Sequence, residues 1–194
     1  MKSVDKKFNL IDCSFKLIEA QGWKAFSLEK LSRKEGIPLE EIVKSLGSKG
    51  NLLGEFSKMI DIKVEGSFCF EDAANTSPKD NLFELIMLRL EHMEIYKKAL
   101  KKIIADLDQN PLPLKKVLIT VTNSLDFYLE LAGAYDNSFF DIFKKKVILF
   151  LYGLIFKTWL KDDSQDLSST MAELDKFLTY SEKLAQKFKD YTPF

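Results

Sequence analysis

Cysteine is nearly missing from this chain of 194 residues: only Cys13 and Cys69 occur, and neither sits in a C-x-x-C pair. That excludes a disulfide scaffold. With His92 as the single histidine, it also leaves no zinc site and no thiol redox motif. The expected compartment is a reducing one, the cytoplasm. Net charge is missing too, since 29 basic side chains balance 29 acidic ones. A protein that coats nucleic acid is basic overall, so any such contact here must be a local patch. No long hydrophobic run is present. The most apolar stretch, VILFLYGLIF at 147–156, is about half the length of a bilayer-spanning helix. The N-terminal MKSVDKKFNL lacks the apolar centre of a secretory signal.

Catalytic equipment is also scarce. A di-metal helical bundle needs Glu-x-x-His pairs, and the residue three before His92 is Arg89. No Ser-His-Asp set assembles around one histidine. No enzyme activity, cofactor or metal is therefore expected.

What is present is a core and a helical rhythm. Apolar residues make up 46% of the chain, enough for a real interior, and 16 phenylalanines favour wide apolar layers. Phe8, Ile11, Phe15 and Ile18 recur at helical spacing, and Gly22 ends that helix. Ser27 caps a short helix, LEKLSRKE, which Gly36 terminates. Pro38 suits the first turn of a third helix that runs to about Leu46. Gly47 breaks it, and Ser48 caps a longer fourth helix through Leu52, Leu53, Phe56 and Ile60. A polar joint, EDAANTSPKD, follows at 71–80. Longer amphipathic helices are predicted near 80–94, 96–108, 114–132, 138–161 and 167–189. QNPLP, GAYDNS and DDSQD separate the later ones. No strand-like alternation interrupts this pattern. The fold class is all-α, with about nine helices. A three-helix helix-turn-helix head over 1–50 is joined by a long helix to a helical body over 51–194.

Helix 138–161 is apolar all round between Val147 and Phe156, so it needs cover on every side. A second copy of the chain is the simplest cover for the outer face, and a larger monomer core is the other. A homodimer interface is expected at Phe150 and Leu154, completed by Met171, Leu174 and Leu178 of the last helix.

The stretch 26–53, FSLEKLSRKEGIPLEEIVKSLGSKGNLL, resembles the helix-turn-helix of the TetR family of bacterial regulators. The matching residues are Ser27, Leu31, Gly36, Ile37, Ile42, Leu46, Ser48, Lys49 and Leu52, with GW at 22–23 before them. The resemblance implies a DNA-reading head that binds palindromic double-stranded DNA as a dimer. It also implies a body with a small-molecule cavity among the middle helices. Those helices offer Phe83, Met87, Leu90, Met93, Phe127 and Leu131 for an apolar ligand, though the same residues fill cores.

Several positions depart from the family pattern. Ser32 and Glu35 stand where alanines are usual, and Pro38 stands at the usual serine. Glu40 replaces a glycine, Val43 a phosphate-binding tyrosine and Ser45 a second aromatic residue or histidine. Residues 1–56 carry ten basic against eight acidic side chains, a small surplus for a DNA-binding head. The expected DNA contacts are Ser27, Lys44, Ser45, Ser48 and Lys49. Ser27, Ser48 and Lys49 lie at helix N-termini that favour phosphate, and Lys44 reaches a phosphate or a guanine edge. Glu40 and Glu41 complement a helix dipole and can accept from cytosine N4.

The stretch 159–178 resembles a second group, the TetR-fold proteins of ubiquinone biosynthesis. The matches there include Trp159, Asp162, Asp163, Ser164, Asp166, Thr170, Met171, Leu174 and Leu178. Asp166 or Ser164 is expected to cap the last helix. This second resemblance implies an isoprenoid-lipid carrier with a vestigial head as the alternative function. Members of that group that touch membranes carry a further amphipathic helix. Here KDYTPF closes the sequence soon after the last helix, so stable membrane association is not expected.

Overall fold

The structure is a computed structural model that describes residues 2–107, 114–136, 138 and 140–191. Among these residues it is all-α. The helices are α1 (Lys2–Gln21), α2 (Leu28–Glu35), α3 (Leu39–Leu46), α4 (Lys49–Ser67), α5 (Phe70–Ala73), α6 (Pro78–Met93), α7 (Lys97–Leu107), α8 (Leu114–Leu131), α9 (Phe140–Lys161) and α10 (Ser168–Tyr191). A 3₁₀ turn, Glu94–Tyr96, separates α6 from α7. The first helix starts six residues before the expected Phe8. One short helix, α5, overlaps the start of the stretch 71–80 expected to be a polar joint, and α6 begins within its last residues. The expected separator QNPLP, 109–113, lies outside the described residues. No described helix is long and apolar enough to cross a membrane.

The chain divides into two compact units. One holds Met1–Lys63 with His92–Val121, the other Val64–Glu91 with Thr122–Phe194. The boundaries fall inside α4, α6 and α8.

In the first unit, α1, α2 and α3 pack on one another, and α1 also packs on α7. Leu10, Ile11, Phe15 and Ile18 of α1 are buried, which is the helical stripe the sequence predicts. Each such side chain stabilises the unit by about 1.5–3 kcal/mol relative to exposure. Phe15 stacks on Phe56 at a centroid distance of 4.2 Å, and Tyr96 meets both rings edge-on. Burial, together with the acceptor Asp12 to which it donates, pushes the Tyr96 phenol well above its ordinary range. Asp106 of α7 accepts from the Lys24 backbone N–H at 2.9 Å.

In the second unit, Ile148, Leu151, Tyr152, Ile155 and Trp159 form the inward stripe of α9. The apolar run 147–156 is therefore only partly covered within one chain, and Phe150 remains 67% exposed. Arg89 of α6 is buried in this unit. Its Nε donates to the Tyr152 hydroxyl at 3.0 Å and its Nη1 to the Tyr128 hydroxyl at 3.2 Å.

The entry to α10 is built around Asp162, a buried carboxylate. It accepts from the Ser164 backbone N–H and hydroxyl, and from the Thr170 backbone N–H and hydroxyl. Asp166 and Ser164, the expected caps, both accept from the Ser168 N–H at 3.2 Å. The deeper cap comes from Asp162, eight residues before Thr170. Leu167 closes the loop at φ 52°, an unusual conformation for leucine, while its side chain is buried.

Candidate nucleic-acid interface and body groove

The geometry of the head begins with two caps. Ser27 Oγ accepts from the Lys30 backbone N–H at 3.3 Å, which starts α2 as the sequence predicts. Gly36 ends α2 at φ 67°, in the left-handed region that favours glycine. The Ser32 hydroxyl donates to the Ile37 carbonyl at 2.6 Å, and the Ile37 N–H donates back to the Ser32 carbonyl at 3.3 Å. Ser32, where the resembled pattern prefers alanine, thus ties the turn to α2. The third helix starts at Leu39, and Pro38 is the residue before it rather than part of its first turn.

α3 is amphipathic in the plainest way. Ile42 and Leu46 are buried, while Leu39, Glu40, Val43 and Lys44 face outward. Val43 is 46% exposed. Glu41 turns aside to pair with Lys6 of α1. Arg33 and Lys34, in the last turn of α2, are exposed and add positive charge near this face in the sequence.

The five expected DNA contacts separate into two groups. Lys44 and Ser48 are exposed. Ser27, Ser45 and Lys49 direct their polar groups into the head. Ser27 caps α2, and Ser45 Oγ donates to the Glu41 carbonyl at 3.0 Å. Lys49 Nζ donates to the carbonyls of Trp23 at 2.6 Å and Phe26 at 2.8 Å, with Lys24 at 3.4 Å. The same ammonium lies 4.8 Å from the centre of the Trp23 ring. Burial pulls the Lys49 ammonium below its ordinary value, against the opposing charge of Asp106.

The second unit carries a groove of about 370 Å³. Leu82 of α6, Leu129 of α8, Val147, Ile148 and Leu151 of α9, and Leu178 of α10 supply its apolar wall. Lys79 and Lys144 stand at its rim, and both are matched by acids. Lys79 pairs with Asp175 at 2.8 Å, and Lys144 pairs with Asp136 at 3.0 Å and Asp141 at 2.8 Å. Burial opposes the Lys144 charge, but the hydrogen bonds it donates to Asp141 and Asp136 outweigh burial and raise its pKa. A smaller apolar hollow of about 110 Å³ beside it is lined by Phe140, Phe143, Val147 and Leu184. The size and lining of the larger groove suit a small, mainly apolar molecule.

None of the six pocket residues expected from sequence lines this groove. Met87 and Leu90 are buried in the second unit and Met93 in the first, while Phe83, Phe127 and Leu131 are half-buried. The groove uses their helical neighbours, Leu82 instead of Phe83 and Leu129 instead of Leu131. One step along a helix turns a side chain by about 100°. Leu82 is thus turned about 100° from Phe83, and Leu129, two positions away, about 200° from Leu131, so the groove and the expected residues lie on different faces of α6 and α8.

The expected dimer residues also divide. Phe150 and Met171 are exposed, and Leu154 is half-buried. Leu174 and Leu178 are buried inside the unit itself, which leaves little of either for a partner. Leu184 of α10, an apolar residue of the last helix, is exposed as well, and so are Phe143 of α9 and Tyr180 of α10, which the sequence reading missed.

No protein-family model matches the chain, and no curated protein matches it in sequence. Solved structures do. A TetR transcriptional regulator from Nitrosomonas europaea ATCC 19718 superposes with a TM-score of 0.75 at 16% identity, covering 90% of this chain and 96% of that one. A TetR transcriptional regulator from Rhodococcus sp. RHA1 gives 0.62 at 12% identity, covering 92% and 95%. The TetR-family regulator PfmR from Thermus thermophilus gives 0.51 at 16% identity, covering 88% and 97%. The chain therefore has the fold of the TetR-family transcriptional regulators. At these identities the likeness is one of fold.

Proposed function

We propose that this chain is a TetR-type transcriptional regulator that reads palindromic double-stranded DNA as a homodimer. The observation that carries the reading is α3. It stands on a turn stitched to α2 by Ser32, and it presents an uncovered outward face at Leu39, Glu40, Val43 and Lys44. A second helix held in this way is what major-groove recognition requires. Lys44 and Ser48 supply the phosphate contacts of this face, flanked by Arg33 and Lys34, and Lys49 holds the head together from within.

The body acts as a sensor. A small apolar ligand in the groove walled by Leu82, Leu129, Ile148 and Leu151 sets the spacing of the two heads, and its binding relieves repression. Two heads must lie about one helical turn of DNA apart. A ligand shifts that spacing only through its differential affinity for the two states. The dimer forms over the exposed apolar side chains of α9 and α10, centred on Phe150, because exposed aromatic patches of this kind mark association surfaces. The isoprenoid-carrier alternative gains no support, since the structures this chain resembles are transcriptional regulators.

A gel shift with the gene's own upstream DNA, at two salt concentrations, tests the reading. A sequence-preferring shift that weakens with salt is expected. No such shift at low salt would overturn it.

A further inference from the structure

The outward face of α3 is unusual in what it offers to DNA. Of its two glutamates, Glu41 is held by Lys6. Glu40 is exposed, and among the described residues it has no ion pair. The next side chain on that face, three residues on, is Val43, an exposed aliphatic group. Residues three apart on a helix are neighbours, roughly 5–6 Å between their Cβ atoms, so the two side chains share one patch of the α3 surface.

An exposed carboxylate beside a polyanion is unfavourable unless a base donor meets it. In the major groove the cytosine edge presents only the N4 amino donor. Adenine sets an N7 acceptor beside its donor, and guanine presents acceptors alone. The apolar feature of the same groove is the thymine 5-methyl group. Chemistry thus assigns a base to each side chain.

We propose that α3 reads a half-site in which a cytosine amino group donates to Glu40 and a neighbouring thymine methyl packs on Val43. This rests on the DNA-reading function proposed above and adds the sequence that is read. Glu40 and Val43 then serve as specificity-determining residues, while Lys44 contributes affinity.

The test is selection of binding sites from a random duplex pool by the full-length protein, followed by competition with altered duplexes. The enriched half-site is expected to hold a cytosine and a thymine within adjacent steps. Replacing that dT by deoxyuridine removes only the methyl group. It should weaken wild-type binding about 3- to 10-fold and have a clearly smaller effect on the Val43→Ala variant, whose shorter side chain retains one methyl group. Glu40→Gln should move the preferred base from cytosine to adenine, because a carboxamide matches the adenine donor and acceptor together. Both side chains are exposed, so unchanged thermal melting confirms that the variants are folded. A motif that is enriched but indifferent to deoxyuridine, and unchanged in both variants, overturns this inference and leaves the regulator reading standing. If no motif is enriched at low salt, both fail together.

Discussion

Asp162 Oδ2 accepts two hydrogen bonds from Thr170, at 2.8 Å from its backbone N–H and 2.7 Å from its hydroxyl. The carboxylate thereby starts α10 across eight residues of chain. Burial works against its charge, but the donors of Ser164 and Thr170 outweigh burial and hold its carboxyl well below the usual carboxylate range. Asp162→Ala should cost about 2 kcal/mol, from the loss of the deeper of the α10 caps and two buried Thr170 donors left without this acceptor. Its folded pKa lies below its unfolded value of about 3.9, so the contribution is fully present above that pH. It is lost as pH falls further. Thermal melts from pH 7 down to pH 2 should show a shallower acid limb in Asp162→Asn than in the wild type.

Lys49→Met should destabilise the head by about 1–3 kcal/mol, since three carbonyls lose their charged donor. Removing a phosphate contact instead reduces the salt dependence of DNA binding by about one unit of slope. The expected result is a lower melting temperature with the slope unchanged. The opposite pattern would return Lys49 to the DNA surface.

Gly47 joins α3 to α4 at φ 73° and ψ −121°, and an added Cβ would lie 2.5 Å from Asn51 Nδ2. Both strain and crowding oppose a side chain here. Gly47→Ala should lower stability by roughly 1–3 kcal/mol, read from the midpoint of urea unfolding.

Phe150→Asp tests the proposed dimer. A charge at the centre of an apolar interface costs at least about 2 kcal/mol, or roughly 30-fold in dissociation constant. Native mass spectrometry at micromolar concentration should show dimer for the wild type and mainly monomer for the variant. A wild-type protein that is already monomeric would remove the interface.

The helical skeleton was readable because its signals are local. Ser27, Gly36 and Gly47 mark helix ends through backbone geometry that any observer of the sequence can apply, and each does so in the structure. The stripe Ile11, Phe15 and Ile18 needed only the helical period. The candidate sites were harder to read. Lys49 reads as a solvent-facing phosphate contact until Trp23 and Phe26, more than twenty residues earlier, present their carbonyls to it. Arg89 entered the sequence reading only as the residue that breaks a metal motif, yet it is buried against two tyrosine hydroxyls.

By itself, then, the sequence determined an all-α chain, a helix-turn-helix bounded by Ser27 and Gly47, and an α3 whose outward side carries Glu40, Val43 and Lys44. Caps, breakers and periodicity act over a few residues, so composition and spacing suffice for them. Only the tertiary structure decided which polar groups remain available. It tied Glu41 to Lys6 and Lys49 to the turn before α2. It also drew Leu174 and Leu178 into the unit's own core while leaving Phe150 outside. Those outcomes depend on side chains far apart in sequence competing for the same neighbours, and no local pattern records which of them wins.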